Sequence, residues 1–509
     1  MSQQKYPHTL KLFDRIDKFG EGLIGIEKEA LRMKGDAVSG SSIQEKLGSA
    51  LCNKYITTDF SEALTEFITP PKSINSDVSQ FLEDIHKYYY KLINQETLWP
   101  MSMPPNIKDT SSIPIAYYGK SNEAKLKHLY RKGLSNRYGR PMQIISGVHF
   151  NYSISEDLWN DLDVKKSTDI PQIKSEFYFT GLRNIKRKNW LLLYLFGSSP
   201  IIPKVLVQSR KDNMVEISKD YYLMKNSTSL RMSSYGYVNP SQEKIKISYN
   251  SIEEYIRDLR KATRIESQIF SKIPEKINHN LSQINKNMLQ IEDEYYSEAR
   301  PKSDSAQNKR MLDKLKNNGV SYLEIRSLDI DPFSRSGISE STIAFMELFT
   351  LYALFGPNQN ISDKEDKEIR SNSLRVALEG RNNNLKLSKS GNKVQMKSWG
   401  KTILDEMLSF SEIIGLDDSI YKVTLEDSFK KLDSPNETPS YKLIESITQS
   451  HNINEEVLNI ATMHKESFSG EVNSNEKLLN AEKKQSFKRQ ATLDSNNQLS
   501  FEDFLRLYS

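Results

Sequence analysis

Alternation of apolar and polar residues predicts several β-strands in this chain of 509 residues. Four segments alternate with a period of two, which places successive side chains on opposite faces of a strand: 62–70, 143–154, 288–296 and 320–330. In 143–154 the face that carries Phe150 is apolar, whereas the face that carries His149 is polar. In 320–330 Glu324 lies between apolar neighbours. These segments therefore predict strands that each present polar side chains on one face.

Helical periodicity occupies longer stretches between these strands, notably 77–96 and 251–270. The segment 341–357 is apolar, carries Glu347 and ends at a Gly-Pro pair, so it predicts a buried helix. Strands at long and irregular intervals do not fit a regular βαβ winding. The pattern predicts an α+β fold, with a largely antiparallel sheet and helices on its outer face.

The length allows about three domains, or one large catalytic domain with additions. No internal repeat and no clear linker precede residue 430, so we predict a single large catalytic domain over residues 1–509. From about residue 430 to residue 509 the chain is charged and rich in Asn and Ser, with helical pieces at 454–467 and 501–508. We expect this part to be a helical C-terminal elaboration.

The net charge of +5 comes from 71 basic and 66 acidic residues, and this near balance predicts no nucleic-acid partner. One cysteine, Cys52, permits no internal disulfide and fits a reducing compartment. The first 20 residues contain no apolar signal segment. The apolar segment 190–207 is interrupted by Gly197 and two prolines, so its continuous apolar run is too short to span a bilayer. We expect a cytoplasmic protein without membrane association.

The stretch 20–33, GEGLIGIEKEALRM, has two interpretations. Its first six residues match the GxGxxG dinucleotide fingerprint, which requires a strand before it and a helix after it. Here the preceding segment 10–19 is charged and helix-like, and the following one alternates as a strand. Two Walker-like fragments also fail, because Pro114 and Gln395 stand where the first P-loop glycine belongs. Any use of ATP would therefore not involve a P-loop.

In the second interpretation the acids of this stretch carry the function. On a strand, Glu27 and Glu29 share one face with their Cα atoms about 6.5–7 Å apart. The pair alone is most simply a solvated strand face. Other predicted strands add further polar side chains, namely Asp59, Glu66, His149 and Glu324. If these faces converge, the carboxylates would repel one another unless divalent cations lie between them. Such hard oxygen ligands with one imidazole suit Mg²⁺ or Mn²⁺ bound to nucleotide phosphates.

Longer motifs occur in a specific order along the chain: GIEKEALRM, YITTDFSEALTEFITP, LWPMSMP, YLFGSSP, TSLRMSSYGY and YLEIRSLDIDPFS. Their order and spacing resemble the γ-proteobacterial type of glutamate–cysteine ligase, from about residue 15 to about residue 385. The resemblance implies a glutamine-synthetase-like catalytic fold, in which a curved, mostly antiparallel sheet forms a funnel wrapped by helices. It also implies ATP-dependent joining of the L-glutamate γ-carboxylate to the L-cysteine amine through γ-glutamyl phosphate, the first step of glutathione synthesis.

The resemblance assigns roles to individual residues. The divalent metal ions, Mg²⁺ or Mn²⁺, would be bound by Glu27, Glu29, Asp59, Glu66, His149 and Glu324. Arg231 would lie near the glutamate substrate, Arg326 would face the transferred phosphoryl group, and Arg131 would be a further anion contact. The cysteine pocket would comprise Phe60, Tyr130, Leu134, Gln143, Tyr237 and Tyr296. No residue is implied as a covalent nucleophile.

Two other functions remain open at this point. One is a carboxylate–amine ligase of the same fold that joins glutamate to a different amine. The other is a non-catalytic paralogue that only binds glutamate or a nucleotide, although such a protein would not need the full set of acids. For the ligase, the implied small-molecule partners are glutamate, cysteine and ATP, with glutathione as a feedback inhibitor, and no oligomer is implied.

Overall fold

The computed structural model describes residues 22–156, 170–207, 213–237, 241–242, 244–304, 310–416, 419–448, 452–496 and 498–508. The segment 10–19, for which the sequence indicated a helix, lies outside this range. The strands are β1 Leu23–Lys34, β2 Ala37–Val38, β3 Ile56–Thr58, β4 Leu64–Ile68, β5 Thr97–Leu98, β6 Val148–Ser153, β7 Ile201–Pro203, β8 Val215–Glu216, β9 Tyr221–Leu223, β10 Lys276–Ile277, β11 Asn280–Leu281, β12 Ala299–Lys302, β13 Tyr322–Leu328, β14 Lys386–Lys389 and β15 Asn392–Gln395.

The described α-helices are α1 Gln44–Leu47, α2 Asn75–Leu92, α3 Asn122–Tyr138, α4 Ile170–Phe196, α5 Ile252–Ala262, α6 Met311–Asn318, α7 Glu340–Leu354, α8 Asp363–Glu379, α9 Met396–Ile413, α10 Ser419–Asp433, α11 Pro439–Thr448, α12 Ile453–Ser467, α13 Glu476–Ser495 and α14 Phe501–Tyr508. Several begin at a serine whose hydroxyl accepts a backbone N–H of the first turn, as Ser121 does for α3 and Ser339 for α7. No described helix is long and apolar enough to cross a membrane.

The central sheet has the strand order β12-β13-β6-β1-β4-β3, with β2 and β5 added to β1. Each of its pairs is antiparallel. The long strand β1 pairs with β4 on one side and with β6 on the other, so it lies in the middle of the sheet. The α+β fold with a mostly antiparallel sheet is thereby confirmed, and a regular βαβ winding is excluded for this sheet.

The two faces of the sheet differ sharply. One face carries Ile26, Phe67, Phe150 and Ile325, all fully buried in the main hydrophobic core. Helices α2 and α4 pack against this face, and α7 packs against both of them. The opposite face carries the acids and His149, because successive residues of a strand point to opposite sides.

Helix α7 confirms the buried helix that the apolar run predicted. Its residues from Ile343 to Leu354 are all buried. Glu347 in its middle is compensated, since its carboxylate accepts hydrogen bonds from the Asn75 amide at 2.9 Å and the Tyr421 hydroxyl at 2.6 Å. A buried carboxylate is tolerated where its hydrogen bonds are made.

The strand predicted over 288–296 is wrong. This segment contains a short 3₁₀ turn, Glu292–Glu294, and no strand. Its alternation arises because Glu292 and Glu294 are buried as ion-pair partners of Arg310 and Arg137. The strand predicted over 143–154 is confirmed only from Val148, because Met142–Ile144 forms another 3₁₀ turn.

The last helices pack onto the part of the chain that carries the central sheet. Asp84 of α2 accepts hydrogen bonds from the Ser474 hydroxyl at 2.6 Å and the Asn475 amide at 2.9 Å, immediately before α13. Further along α13, the Ser486 hydroxyl accepts the backbone N–H of Ser49 at 3.0 Å. Residues 474–486 are thus attached to two separate parts of the fold.

We expect Asp84→Asn to lower the free energy of unfolding by about 1–3 kcal/mol at pH 7, because the donors around the buried Asp84 carboxylate lose a charged acceptor. Burial opposes ionisation, but the hydrogen bonds of Ser474, Lys87 and Asn475 outweigh it and lower the pKa of Asp84. A lowered folded-state pKa means that the stabilisation is present above the unfolded pKa of about 3.9 and is lost as the pH falls through the folded value. Urea unfolding at a series of pH values should show the difference from wild type shrinking in acid.

The matched control for this measurement is Asp77→Asn on the same helix. Asp77 is exposed, so its replacement should change stability by no more than about 0.5 kcal/mol. Equal losses in the two variants would contradict the role of Asp84 as an anchor.

Candidate active site

Three side chains on adjacent strands form a cluster of the size that one metal ion requires. Glu27, His149 and Glu324 each offer a ligand atom, and these atoms lie within 4.8 Å of one another. The sheet register produces this arrangement, because Glu27 lies opposite His149 across the β1–β6 pair and Glu324 is on the next strand, β13. His149 Nδ1 is 3.5 Å from a Glu27 oxygen and 3.9 Å from a Glu324 oxygen. We call these three residues the Glu–His–Glu cluster.

Further acids extend the cluster along the same face of the sheet. Glu29 lies 3.9 Å from His149 Nε2, and it is the register partner of Glu66 on β4. Asp59 follows β3, where its carboxylate lies 3.6 Å from Arg131 and its backbone carbonyl accepts a hydrogen bond from the same guanidinium. All six predicted metal-binding residues therefore border one region, although the ion-sized group contains three of them.

The crowding of these acids changes their proton affinity. Burial, followed by the charge of Asp59, raises the pKa of Glu29 to about 8. Burial together with the charges of Glu27, Asp59 and Glu29 raises the pKa of Glu66 well above its usual value. Like-charged carboxylates raise one another's pKa in this way when no cation separates them.

Cations on β12 and β13 contact the Glu–His–Glu cluster at Glu324. Glu324 is 3.2 Å from Lys302 and 3.1 Å from Arg326. Although burial opposes ionisation, these two cations bring the pKa of Glu324 well below its usual value. The register of the β13–β6 pair shifts between Ile325 and Leu328, a stretch that contains Arg326. Irregularities such as β-bulges redirect side chains and are frequent beside active sites.

Arg231 lies behind the cavity surface, fully buried. Its guanidinium donates to the carbonyl of Arg326 at 2.9 Å and lies 3.7 Å from a carboxylate oxygen of Asp329. Gly147 is required beside it, since a Cβ at that position would come within 2.0 Å of Arg231 Nη2. The Nε atom of Arg231 is buried without a hydrogen-bond partner.

Asp329 is a positioning residue that the sequence did not reveal. Its carboxylate accepts the Ser199 hydroxyl at 2.6 Å, the Ser198 backbone N–H at 2.9 Å and the Ser229 hydroxyl at 3.0 Å. These serines belong to the motifs YLFGSSP and TSLRMSSYGY, so the network explains why small polar residues occur there. The network also fixes the carboxylate that faces Arg231.

If Arg231 lies near a glutamate substrate, as the resemblance implies, Asp329→Asn should raise the KM for glutamate by about tenfold or more, because Arg231 would lose the charge that orients it. The asparagine side chain would also place an N–H donor against groups that are themselves hydrogen-bond donors. This mismatch should lower the free energy of unfolding by about 1–3 kcal/mol. Asp331→Asn is the matched control, since the Asp331 carboxylate accepts a local turn hydrogen bond from the backbone N–H of Phe333 at 3.0 Å. Steady-state kinetics and thermal unfolding of both variants check this. An unchanged KM in Asp329→Asn would contradict the positioning role.

The predicted cysteine-pocket residues gather beside the acids, with one exception. Gln143 and Tyr296 are joined by a hydrogen bond of 3.0 Å, and the ring of Tyr296 stacks on that of Tyr237 with centroids 5.2 Å apart. Tyr130 and Leu134 reach the same cavity from α3. Phe60 does not border the cavity, because it is buried in the hydrophobic cluster beneath it.

A cavity of about 940 Å³ covers this whole face of the sheet. It is bordered by the five predicted acids and His149 as well as by cations that the sequence did not single out, namely Lys127, Arg300, Lys302 and Arg310. Lys127 precedes Arg131 by four residues, so helical spacing could have indicated that both reach one face. Arg300 and Lys302 alternate on β12, so strand spacing could have indicated them too.

The side chains of the Glu–His–Glu cluster suit a divalent cation. Both ring nitrogens of His149 are buried without a hydrogen-bond partner. Burial, followed by the charge of Arg326, lowers the pKa of His149, which favours the neutral imidazole that can coordinate a metal. Two carboxylates and one neutral imidazole are a ligand set compatible with Mg²⁺ or Mn²⁺.

An acidic sheet face ringed by lysines and arginines, over a cavity of this size, is typical of enzymes that transfer a phosphoryl group from a nucleotide. Comparison with known proteins narrows this class of enzymes to one family. The sequence pattern of the glutamate–cysteine ligase family matches residues 9–376. The chain therefore belongs to the glutamate–cysteine ligase family.

Individual relatives agree with this assignment. The glutamate–cysteine ligase of Shewanella halifaxensis is 38% identical over 499 residues, covering 95% of each chain. That of Alcanivorax borkumensis is 36% identical over 497 residues, again covering 95% of each chain. The crystal structure of the glutamate–cysteine ligase from Francisella tularensis, in complex with AMP, superposes with a TM-score of 0.89 at 32% identity, covering 96% of this chain and 97% of that one.

Proposed function

We propose that this protein uses ATP to join the γ-carboxylate of L-glutamate to the amine of L-cysteine, forming γ-glutamylcysteine. Membership of the glutamate–cysteine ligase family carries this conclusion, together with near-complete coverage of relatives that bear this name. The AMP complex of the Francisella tularensis relative supports a nucleotide in the cavity. The whole chain would then act as one catalytic unit, in the cytoplasm as the single cysteine indicates.

The acids supply the cation sites in this proposal. Glu27, His149 and Glu324 would hold one divalent ion, and Glu29, Glu66 and Asp59 would contribute to others. Mg²⁺ or Mn²⁺ bound there would neutralise charge on the nucleotide phosphates. The raised pKa values of Glu29 and Glu66 support this assignment, since burial and neighbouring carboxylates outweigh the cations near them, Arg231 and Arg326 at Glu29 and Lys127 at Glu66.

The basic residues then act on the reacting groups. A carboxylate is a poor acylating agent, so the γ-phosphoryl group of ATP is first transferred to glutamate, giving γ-glutamyl phosphate. Arg326 borders the cavity and would stabilise charge on the transferring phosphoryl group, while Arg231 would orient the glutamate from behind Tyr237. The cysteine amine attacks the acyl carbon, a proton is lost from the nitrogen, and phosphate leaves.

The experiment that tests the function is an assay of purified protein with ATP, glutamate and a panel of amines. We expect ADP release that requires both glutamate and a divalent cation, and γ-glutamylcysteine as the product identified by mass spectrometry. Turnover with cysteine that is no faster than with other small amino acids would contradict the cysteine assignment. Absence of any glutamate-dependent turnover would contradict the ligase activity itself.

We also propose that glutathione inhibits the enzyme by competing for this cavity. Glutathione contains the γ-glutamylcysteine unit, so its glutamyl and cysteinyl groups match the two amino-acid subsites of the proposed reaction. Inhibition that is competitive with glutamate would support this regulation, whereas inhibition independent of glutamate concentration would contradict it.

A further inference from the structure

The main cavity has a second apolar region, apart from the predicted cysteine pocket. Helix α3 runs along the cavity and borders it with Leu126 near its start and with Leu134 further on. These two leucines are eight residues apart in sequence, so they lie about 12 Å apart along the helix axis. Leu134 belongs to the predicted cysteine pocket, whereas the region beside Leu126 has no ligand assigned to it.

Helix α14 lies along the rim of the cavity in this region and is attached on both sides. Immediately before the helix, the carbonyl of Leu499 accepts a hydrogen bond at 3.0 Å from the side-chain amide of Asn122, at the start of α3. At the end of the helix, the carbonyl of Tyr508 accepts one from the guanidinium of Arg310, also at 3.0 Å. The position of α14 beside Leu126 is therefore set by contacts with two separate parts of the fold.

The side chains that border the cavity here are apolar and only partly buried. Leu507 of α14 is 79% exposed. Leucines that line a cavity while remaining accessible indicate a surface for an apolar group of a ligand. The apolar region comprises Leu51, Leu126, Leu493, Leu507 and Tyr508.

Basic residues connect this apolar region with the Glu–His–Glu cluster. Lys302 contacts the cluster and alternates with Arg300 on β12. Arg300 lies 3.9 Å from Asp293, which directly follows the ion-pair partner of Arg310. The guanidinium of Arg310 lies 5.2 Å from the ring centre of Tyr508. A ligand with phosphates at the cluster could therefore extend past cations to the Tyr508 ring.

We propose that this apolar region binds the purine base of ATP, with Tyr508 as the ring on which the base stacks. The inference rests on the proposed function, because it assumes that the phosphates of ATP lie at the metal cluster. Of the proposed substrates, ATP alone carries a large flat group, and a base stacks on an aromatic ring without needing an ion pair. The helices that follow residue 430 thus complete the nucleotide site.

Three variants separate the aromatic face of Tyr508 from its hydroxyl group and from the packing of α14. Tyr508→Leu removes the aromatic face and keeps an apolar side chain, whereas Tyr508→Phe keeps the ring. Phe504→Leu is the matched control, because Phe504 contacts the rings of Phe501 and Tyr508 on the same helix but does not border the cavity. Calorimetric titration with ATP and with inorganic tripolyphosphate, both with Mg²⁺, measures each Kd, and circular dichroism checks the fold.

In Tyr508→Leu the Kd for ATP should rise at least about fivefold, since stacking of a base on an aromatic ring contributes this much or more. The Kd for tripolyphosphate should stay at the wild-type value, because that ligand has no base. Tyr508→Phe and Phe504→Leu should keep the wild-type Kd for both ligands. Wild-type protein should bind ATP more tightly than tripolyphosphate.

Three results would overturn the inference. The first is an unchanged Kd for ATP in folded Tyr508→Leu, and the second is an equal loss of affinity for ATP and tripolyphosphate in that variant. The third is the same loss of ATP affinity in Phe504→Leu. Failure of the proposed function would look different, because wild-type protein would then form no γ-glutamylcysteine, whatever its affinity for ATP.

Discussion

Replacing Glu324 with glutamine is expected to lower kcat/KM at least about 100-fold while the protein stays folded, because a neutral amide is a much weaker ligand for a divalent cation. Glu324 is the acid of the Glu–His–Glu cluster whose pKa is lowered furthest, by Lys302 and Arg326 acting against its burial. The substitution preserves the shape of the side chain and removes only its charge. Steady-state assays across a range of Mg²⁺ concentrations, together with circular dichroism, measure both effects.

The matched control for Glu324→Gln is Glu347→Gln. Glu347 is also almost fully buried, but it lies in α7, away from the cavity, and is hydrogen-bonded to Asn75 and Tyr421. Its replacement should alter stability without a comparable loss of kcat. Wild-type kcat/KM in Glu324→Gln would refute the assignment of this residue to the metal site.

Replacing Arg326 with glutamine should reduce kcat by about 10³-fold or more, the size of effect seen when an arginine that stabilises a transferring phosphoryl group is lost. Arg326 borders the cavity from β13, where the register with β6 shifts, and lies 3.1 Å from Glu324. Because the proposed role requires the charge of Arg326 most in the transition state, kcat should fall far more than the affinity for ATP. Single-turnover measurement of ADP formation and direct titration of ATP separate these quantities.

Arg187→Gln provides the comparison for this loss. Arg187 is paired with Glu365 away from the cavity, so the variant should keep wild-type kcat. A fall in ATP affinity that accounts for the whole loss of kcat/KM in Arg326→Gln, with kcat unchanged, would contradict the proposed role of Arg326.

The sequence predicted the acidic face of the sheet because strand alternation is a local property. Glu27 and Glu29 are two residues apart on β1, so any strand through them points both acids to one side. The position of His149 beside them depends on the pairing of β1 with β6, which are more than 100 residues apart, and local alternation could not give that register. The family resemblance supplied that long-range information before the structure did.

Other features could not be obtained from local patterns. The segment 288–296 alternates like a strand, but its buried acids serve ion pairs with Arg137 and Arg310 that come from distant parts of the chain. The buried position of Arg231 likewise depends on packing against Gly147 and Asp329. Alternation indicates which residues are buried, but it does not indicate which partner residues stabilise a buried charge.

A crystal structure of the protein with Mn²⁺ and a non-hydrolysable ATP analogue tests the central claim most directly. Anomalous scattering would locate the manganese ions independently of the protein atoms. We predict a manganese peak coordinated by Glu27, His149 and Glu324 together, with the nucleotide phosphates bound to the same ion. Manganese and nucleotide bound elsewhere, with these three side chains uncoordinated, would contradict the account.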